Sequence, residues 1–479
     1  MIIILLILRK ILKTGQVPYR NLEETAMTGR NAQIRRLEEL YQQQGNQLVV
    51  LYGRRENGIQ ELLQNFCKEK KSFYYHAPEI SAKAQVQRMS REVEKQYDVS
   101  ISEVSYDSCF SRTRSGDASK LVVIIDEFEH IVKRDEQFME SIVRLKEHKL
   151  YPGPVMILLY TSAVAWVNQN MPKVLGKYQK KLDGIEQLSE LKFVEMVKSF
   201  PDYTVSQSVE VYGVIGGVAK YIKQWDEKRD IRYNICKYIL APDGFLFHEA
   251  ERVISSQLRE LSVYNTILEA VASGKRKLND LYQETGFSRA KISVYLKNLM
   301  AFGMIEKVTS FETGGWENAQ KGLYQIKDTF INFWFKFVYP HLSDLYQMKP
   351  EEFYETYIAD GLEEYLNRYF VKVCMEYLEL MNQVHKLPLQ IHKMGTWVGK
   401  RGHIDIIAQN EIRENLICLC NWSEPEMTFE MCQKLFQSME QAKLTANYYY
   451  LFSAKSFDEK LRKMVAADKR ILLVDMNQM

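Results

Sequence analysis

The chain has 479 residues, 46% hydrophobic and 26% charged, with 23 Gly and 11 Pro. That length holds two to four domains of roughly 100–200 residues, and the composition excludes long low-complexity or disordered tracts. A formal net charge of +3 leaves no global basic field, so any nucleic-acid affinity must come from a local patch.

Seven cysteines (Cys67, Cys109, Cys236, Cys374, Cys418, Cys420, Cys432) are scattered without a C-x-x-C pair or a nearby His cluster. They read as reduced thiols of a cytoplasmic protein rather than a zinc site. The opening MIIILLILRKIL starts with eight apolar residues, short of the roughly 20 that span a bilayer. It lacks a basic n-region and a small-residue cleavage site, so residues 1–24 read as an appendage without membrane insertion.

In TGRNAQIRRLEELYQQQ, Ile34, Leu37, Leu40 and Tyr41 recur on one helical face. A short buried strand, Gln47 to Tyr52, then enters GRRENGIQ, and ELLQNF opens a helix. This strand–loop–helix order is the setting of a G-x-x-x-x-G-K-[ST] phosphate loop. Its glycines let backbone N–H groups wrap phosphates, the Lys reaches the β/γ oxygens, and the hydroxyl holds Mg²⁺. Gly53 and Gly58 fit, with Arg54, Arg55, Glu56 and Asn57 between them, but Ile59 stands where the Lys belongs and Gln60 where the Ser/Thr belongs. The expected ligands are therefore ATP and Mg²⁺ at a loop that lacks its cation and its hydroxyl. Loss of such a Lys removes a charge-assisted contact of roughly 1.5–3 kcal/mol, and more in the transition state.

Residues 72 to 77 read as a second strand, and Leu121 to Ile131 as an apolar run of the kind that suits a parallel strand covered on both faces. Asp126 at its end would hold Mg²⁺, and Glu127 would orient the attacking water. Pro154 to Val167 supplies a further buried strand ending in Thr161 and Ser162, where a polar sensor would sit. Alternating strands and helices imply a right-handed α/β sheet. From about Glu190 to Glu251 the chain reads as helical and aromatic, with Gly216 and Gly217 marking a helix junction.

Residues 261 to 325 read as a winged helix-turn-helix: three short helices, a Thr285-Gly286-Phe287 turn, Ser288 capping the third helix, and a hairpin wing with its tip near Gly314-Gly315. Ile292, Leu296 and Leu299 would face inward, leaving Ser288, Arg289, Lys291 and Lys297 for phosphates and base edges. The basic trio Lys275, Arg276 and Lys277 reads equally as a phosphate contact or a solvated turn. In IKDTFINFWFKFVYPHLSDLYQMKP the aromatic spacing suits a core helix bridging domains. The last 130 residues follow the helix, β-hairpin, helix, strand order of a restriction-endonuclease-like core. Asp405 stands where such a nuclease has its first acid, but Leu419 and Asn421 stand where the Glu-x-Lys should be, and one acid cannot assemble the metal site.

In this order the motifs TGRNAQIRRLEEL, LYGRRENGIQELL, IIDEFEHI, GGVAKYI, KDTFINFWFKFVYP and GHIDIIA resemble the archaeal-type P-loop ATPase family of the STAND/AAA+ class, over about residues 26 to 455. The resemblance implies nucleotide binding at Gly53 to Gln60, metal coordination near Asp126 and water activation by Glu127. It also places Lys177 where the family tends to have an arginine that could act as a finger. The expected fold is an α/β P-loop NTPase domain, a helical winged helix-turn-helix domain and an α/β restriction-endonuclease-like C-terminal domain. Its expected boundaries are an appendage at 1–24, a P-loop domain at 25–205, a helical lid at 206–255, a winged helix at 256–328, an aromatic connector at 329–350 and a nuclease-like domain at 351–479. Two functional readings follow: an ATP-binding protein with weak or no hydrolysis coupled to a DNA- or protein-binding winged helix, or a non-catalytic scaffold that no longer binds nucleotide. Expected partners are a nucleotide, DNA, partner proteins or further copies of the chain, and no membrane.

Overall fold

A computed structural model describes residues 30–113, 119–150, 153–311, 322–399 and 402–476. The first sheet has five parallel strands, β1 (Gln47–Tyr52), β2 (Ser72–His76), β3 (Leu121–Asp126), β4 (Val155–Thr161) and β5 (Gly184–Gln187), in the spatial order β2-β3-β4-β1-β5. Its central strands carry apolar residues at nearly every position because both faces are covered. Leu48, Val50, Val123, Ile125, Ile157 and Leu159 fill the core on one face. Their neighbours Val49, Leu51, Val122, Ile124, Met156 and Leu158 fill the core on the other, as the two-residue period of a strand requires. The helix Asn31–Gln42 adds Leu37 and Leu40 to that second core.

A helical segment follows, in which Gly216 ends the helix Val205–Ile215 with φ +65°. At Gly217 a Cβ would lie 1.8 Å from the Leu191 carbonyl oxygen, so only glycine permits the close approach that also lets Leu191 N–H donate to the Gly217 carbonyl at 2.8 Å. Helices Leu261–Ala272, Leu278–Thr285 and Arg289–Ala301 then lead into the antiparallel hairpin β6 (Ile305–Val308) and β7 (Leu323–Ile326). Ser288 caps the third helix by accepting from Lys291 N–H, and Ile292, Leu296 and Leu299 are buried. The expected wing tip at Gly314-Gly315 lies outside the described residues.

The aromatic stretch runs as an α-turn (Thr329–Phe333), a π-helical turn (Trp334–Val338) and a 3-10 turn (Tyr339–His341). It packs Phe330 against Tyr221 and Phe333 against Tyr365, tying the helical segment to the long helix Ala359–Gln383. The last domain is a second five-stranded sheet in the order β14-β12-β10-β9-β8. Strands β8 (Lys393–Val398), β9 (His403–Gln409) and β10 (Asn415–Asn421) are antiparallel; β10, β12 (Tyr448–Ser453) and β14 (Ile471–Asp475) are parallel. The two-residue strands β11 (Glu426–Met427) and β13 (Ser456–Phe457) pair beside it. Among the described residues no helix is long and apolar enough to cross a membrane.

Candidate functional site

Gly53 leaves β1 and bonds its N–H to the Thr161 carbonyl at 3.2 Å, while its own carbonyl accepts from Tyr160 Oη at 2.8 Å. Arg55–Asn57 then form one 3-10 turn, in which the Asn57 and Gly58 amides donate to the Arg54 and Arg55 carbonyls at 3.0 and 3.1 Å. Two amides of the loop are thus turned onto the loop itself. Gly58, at φ +85°, releases the chain into the helix Ile59–Cys67, whose N-terminus no side chain caps. Its first-turn N–H groups have no intrahelical acceptor and carry the positive end of the helix dipole, the ordinary basis of anion binding at such a terminus.

The two substituted positions differ in environment. Ile59 is 2% exposed and belongs to the core that contains Leu51, Leu62, Ile124 and Tyr160, whereas Gln60 is exposed. Asn57 is buried, donating Nδ2 to the Leu188 carbonyl at 2.9 Å and accepting from Arg30 at its own carbonyl at 2.7 Å. Arg54 is held in an ion pair with Asp328 and a 3.2 Å bond to Tyr221 Oη, with Glu190 and Glu56 at 3.9 and 3.8 Å. Glu56 is bonded in turn by Arg252.

Strand β3 delivers the acids. Asp126 Oδ2 accepts from Tyr74 Oη at 2.5 Å and lies 2.7 Å from His76 Nδ1, both on the neighbouring strand β2. Its Oδ1 is buried with no hydrogen-bond partner. Glu127 has φ +56°, a backbone conformation that costs energy outside glycine and recurs at functional sites. Its Oε1 receives Arg55 Nε at 2.8 Å and Nη2 at 2.6 Å, and its Oε2 receives Ser162 N–H at 3.0 Å. Burial opposes ionisation of Glu127, but the Ser162 and Arg55 bonds outweigh it and hold the carboxyl below its ordinary value. Glu129, buried beside it, is pushed up to about 8 by desolvation and by the Glu127 charge.

Thr161 is fully buried, and its Oγ1 accepts from Ala163 N–H at 3.0 Å. A cleft of about 810 Å³ brings together Arg54, Arg55, Glu56, His76, Glu127, Glu129, Ser162 and Arg252. A smaller cavity of about 360 Å³ on the other side of Arg55 is lined by Ile59, Gln60, Tyr74, Asp126 and Tyr160. Lys177 lies on an exposed 3-10 turn with its ammonium over the Tyr178 ring and lines neither cavity. Tyr74, His76, Glu129, Arg252 and Asp328 were not singled out from the sequence. His76 follows from the rule that polar residues at strand ends face the cleft, and Asp328 is the acid of the KDTFINFWFKFVYP motif, but Arg252 arrives from far along the chain with no local signal.

On the winged helix, Ser288, Arg289, Lys291 and Lys297 are exposed. Arg289 stacks on Tyr282 with its guanidinium carbon 4.1 Å from the ring centroid, and Lys291 lies 4.5 Å from that of Phe287. Arg276 of the basic trio instead turns inward, bonding the Tyr324 carbonyl and Gln325 of β7, so only Lys275 and Lys277 remain exposed. In the last domain Asp405 is 7% exposed, accepts from Cys420 N–H at 2.8 Å and lies 3.1 Å from His403 Nε2. Asn421 is engaged with the Glu424 backbone. Among the described residues no group of three or more His, Cys, Asp or Glu is arranged to hold a metal ion.

Residues 334–441 match a family model described as archaea bacterial proteins of unknown function, DUF234. An uncharacterized protein of Methanocaldococcus jannaschii is 26% identical over 389 residues, 80% of this chain and 84% of that protein. Among solved structures, the Walker-type ATPase of Pyrococcus abyssi aligns at 14% identity and a TM-score of 0.45, covering 65% of this chain and 96% of the other. The ORC2 protein of Aeropyrum pernix in ADPNP-ADP complexes aligns at 13% identity and a TM-score of 0.41, covering 66% and 94%. The domain matched at 334–441 thus lies behind a five-stranded parallel sheet, and the motifs from TGRNAQ to GHIDIIA run in order along the chain, the arrangement that the resemblance to the archaeal-type P-loop ATPase family implies.

Proposed function

We propose that the chain is an ATP-binding protein of weak or no hydrolytic capacity, whose nucleotide-binding domain is coupled to a winged helix that contacts DNA. The observation that carries the reading is the uncapped N-terminus of the helix Ile59–Cys67 behind the Gly53–Gly58 loop: Ile59 and Gln60 line the 360 Å³ cavity, and Arg55 joins that cavity to a cleft wide enough for a nucleoside triphosphate. The binding set is Gly53, Arg54, Arg55, Glu56, Asn57, Gly58, Ile59 and Gln60, with Thr161 behind it; Lys177 joins only if its turn moves. Asp126 fits a magnesium ion, because its Oδ1 is buried without a partner, although position 60 offers no hydroxyl beside it. Bound there, the ion would neutralise phosphate charge. Glu127 would orient water, but in the present geometry both its oxygens are already bonded.

The winged helix presents Arg289, Lys291 and Lys297 to solvent, the residue types that contact phosphates. Seven unpaired thiols favour a reducing, cytoplasmic setting. A second reading, a scaffold that binds no nucleotide, draws support from the two loop amides closed onto the loop carbonyls. Equilibrium calorimetry of ATP with and without Mg²⁺ separates the two. Saturable binding is the expected result, and its absence in the natural chain with gain in an Ile59→Lys/Gln60→Thr variant overturns the ATP-binding reading in favour of the scaffold.

A further inference from the structure

The loop has lost its lysine, yet the site has not lost its cation. Arg55, two residues past the first loop glycine, is 44% exposed at its side chain and, among the described residues, is the one that lines both the 810 Å³ cleft and the 360 Å³ cavity. Its guanidinium holds Glu127 through two nitrogens, at 2.8 and 2.6 Å, and reaches to 4.0 Å from Asp126 Oδ1. Two of the other three arginines that line the cleft are committed elsewhere, and the third, Arg259, does not line the cavity beside the loop. Arg54 is fixed by Asp328 and Tyr221, and Arg252 by Glu249 and Glu56. Lys133 lies over the Trp166 ring, with its ammonium 5.2 Å from the centroid.

Resting on the nucleotide-binding reading above, we infer that Arg55 replaces the missing loop lysine as the phosphate-binding cation, and that its pair with Glu127 is the contact a triphosphate must displace. The geometry suits the exchange. A guanidinium forms bidentate bonds with phosphate as readily as with carboxylate, and Arg55 sits on an exposed turn from which it can swing between the two cavities. While paired, Arg55 also holds Glu127 by two bonds, so the same contact that screens the cation withholds the water-orienting carboxylate. Nucleotide entry would break both restraints together. The family lysine would arrive from the first turn of the helix, at position 59; here that position is buried in the core, and the charge enters from the loop.

The test is a double-mutant cycle read by calorimetry of Mg-ATP on the full chain: the natural protein, Arg55→Ala, Glu127→Gln and the double variant, with Arg55→Lys as the conservative control. Arg55→Ala is expected to weaken binding by about tenfold or more, and Arg55→Lys to restore part of it. Glu127→Gln is expected to tighten binding several-fold by freeing Arg55, and that gain should vanish when Arg55 is also Ala. Binding by Arg55→Ala equal to that of the natural chain overturns the inference while leaving the nucleotide reading intact. So does a Glu127→Gln gain of the same size in both backgrounds, which would reflect only a removed negative charge. No binding by the natural chain overturns both.

Discussion

Restoring the loop with Ile59→Lys/Gln60→Thr should lower the stability of the free protein and raise its affinity for Mg-ATP, and both shifts can be sized. Ile59 is 2% exposed and sits between the 360 Å³ cavity and a second one of about 230 Å³ whose walls combine Leu37, Leu51, Leu62 and Leu188 with Arg36 and Glu186. Burying an isoleucine side chain stabilises by about 1.5–3 kcal/mol. A lysine stem keeps part of that packing while its ammonium reaches the wetter cavity, where Asp126 Oδ1 lacks a partner. The net loss should therefore be about 1–2 kcal/mol. Against this, a charge-assisted contact to phosphate contributes about 1.5–3 kcal/mol, or roughly a 10- to 100-fold gain in affinity. At about 100 times its dissociation constant a ligand stabilises by about 2.7 kcal/mol, enough to more than reverse the deficit. Thermal scans of both proteins with and without Mg-ATP should show the free variant melting earlier and the nucleotide raising it above the free natural protein. A variant that melts with the natural chain and is not shifted by Mg-ATP would refute the argument that core packing at position 59 stands in place of phosphate binding.

Gly217→Ala should cost about 3 kcal/mol or more, because its Cβ would lie 1.8 Å from backbone oxygen of Leu191; Gly274→Ala, at φ +98° with nothing within 4 Å, should cost only about 1 kcal/mol. Chemical denaturation of the two variants side by side checks the contrast. Glu376, half-buried against Tyr212, is pushed up to about 7 chiefly by desolvation. The folded state therefore holds its proton more tightly than the unfolded chain, so its contribution is fully present below the unfolded value near 4.5 and is lost as pH rises through about 7. Melting temperature should fall from pH 5 to 8, and Glu376→Gln should flatten that slope; an unchanged slope would discard the assignment. Lys291→Glu/Lys297→Glu should weaken binding of duplex DNA and reduce its dependence on salt, measured by fluorescence anisotropy across a salt series, while leaving Mg-ATP binding unchanged.

The parallel sheet was legible along the chain because LVVLY, LVVIID and VMILLYT are apolar at consecutive positions, which only strands covered on both faces require. The helix-turn-helix was equally local: Ser288 as a cap, Gly286 at φ +70° in the turn, and inward Ile292, Leu296 and Leu299 at helical spacing. The loop glycines, the two missing functional groups and Asp126-Glu127 were likewise readable, since each motif occupies one short segment. What sequence order could not carry was which charges meet across domains. Arg54 pairs with Asp328, 274 residues away, and Arg252 reaches Glu56 across 196 residues. Periodicity and motif spacing report neighbours along the chain, whereas an ion pair between domains depends on how their surfaces dock. The pairing of Arg55 with Glu127 and the burial of Ile59 belong to the same class: the sequence determined that the loop lacks a lysine, and only the tertiary structure decided that the vacant role has a guanidinium beside it and that the substituted side chain is part of the core.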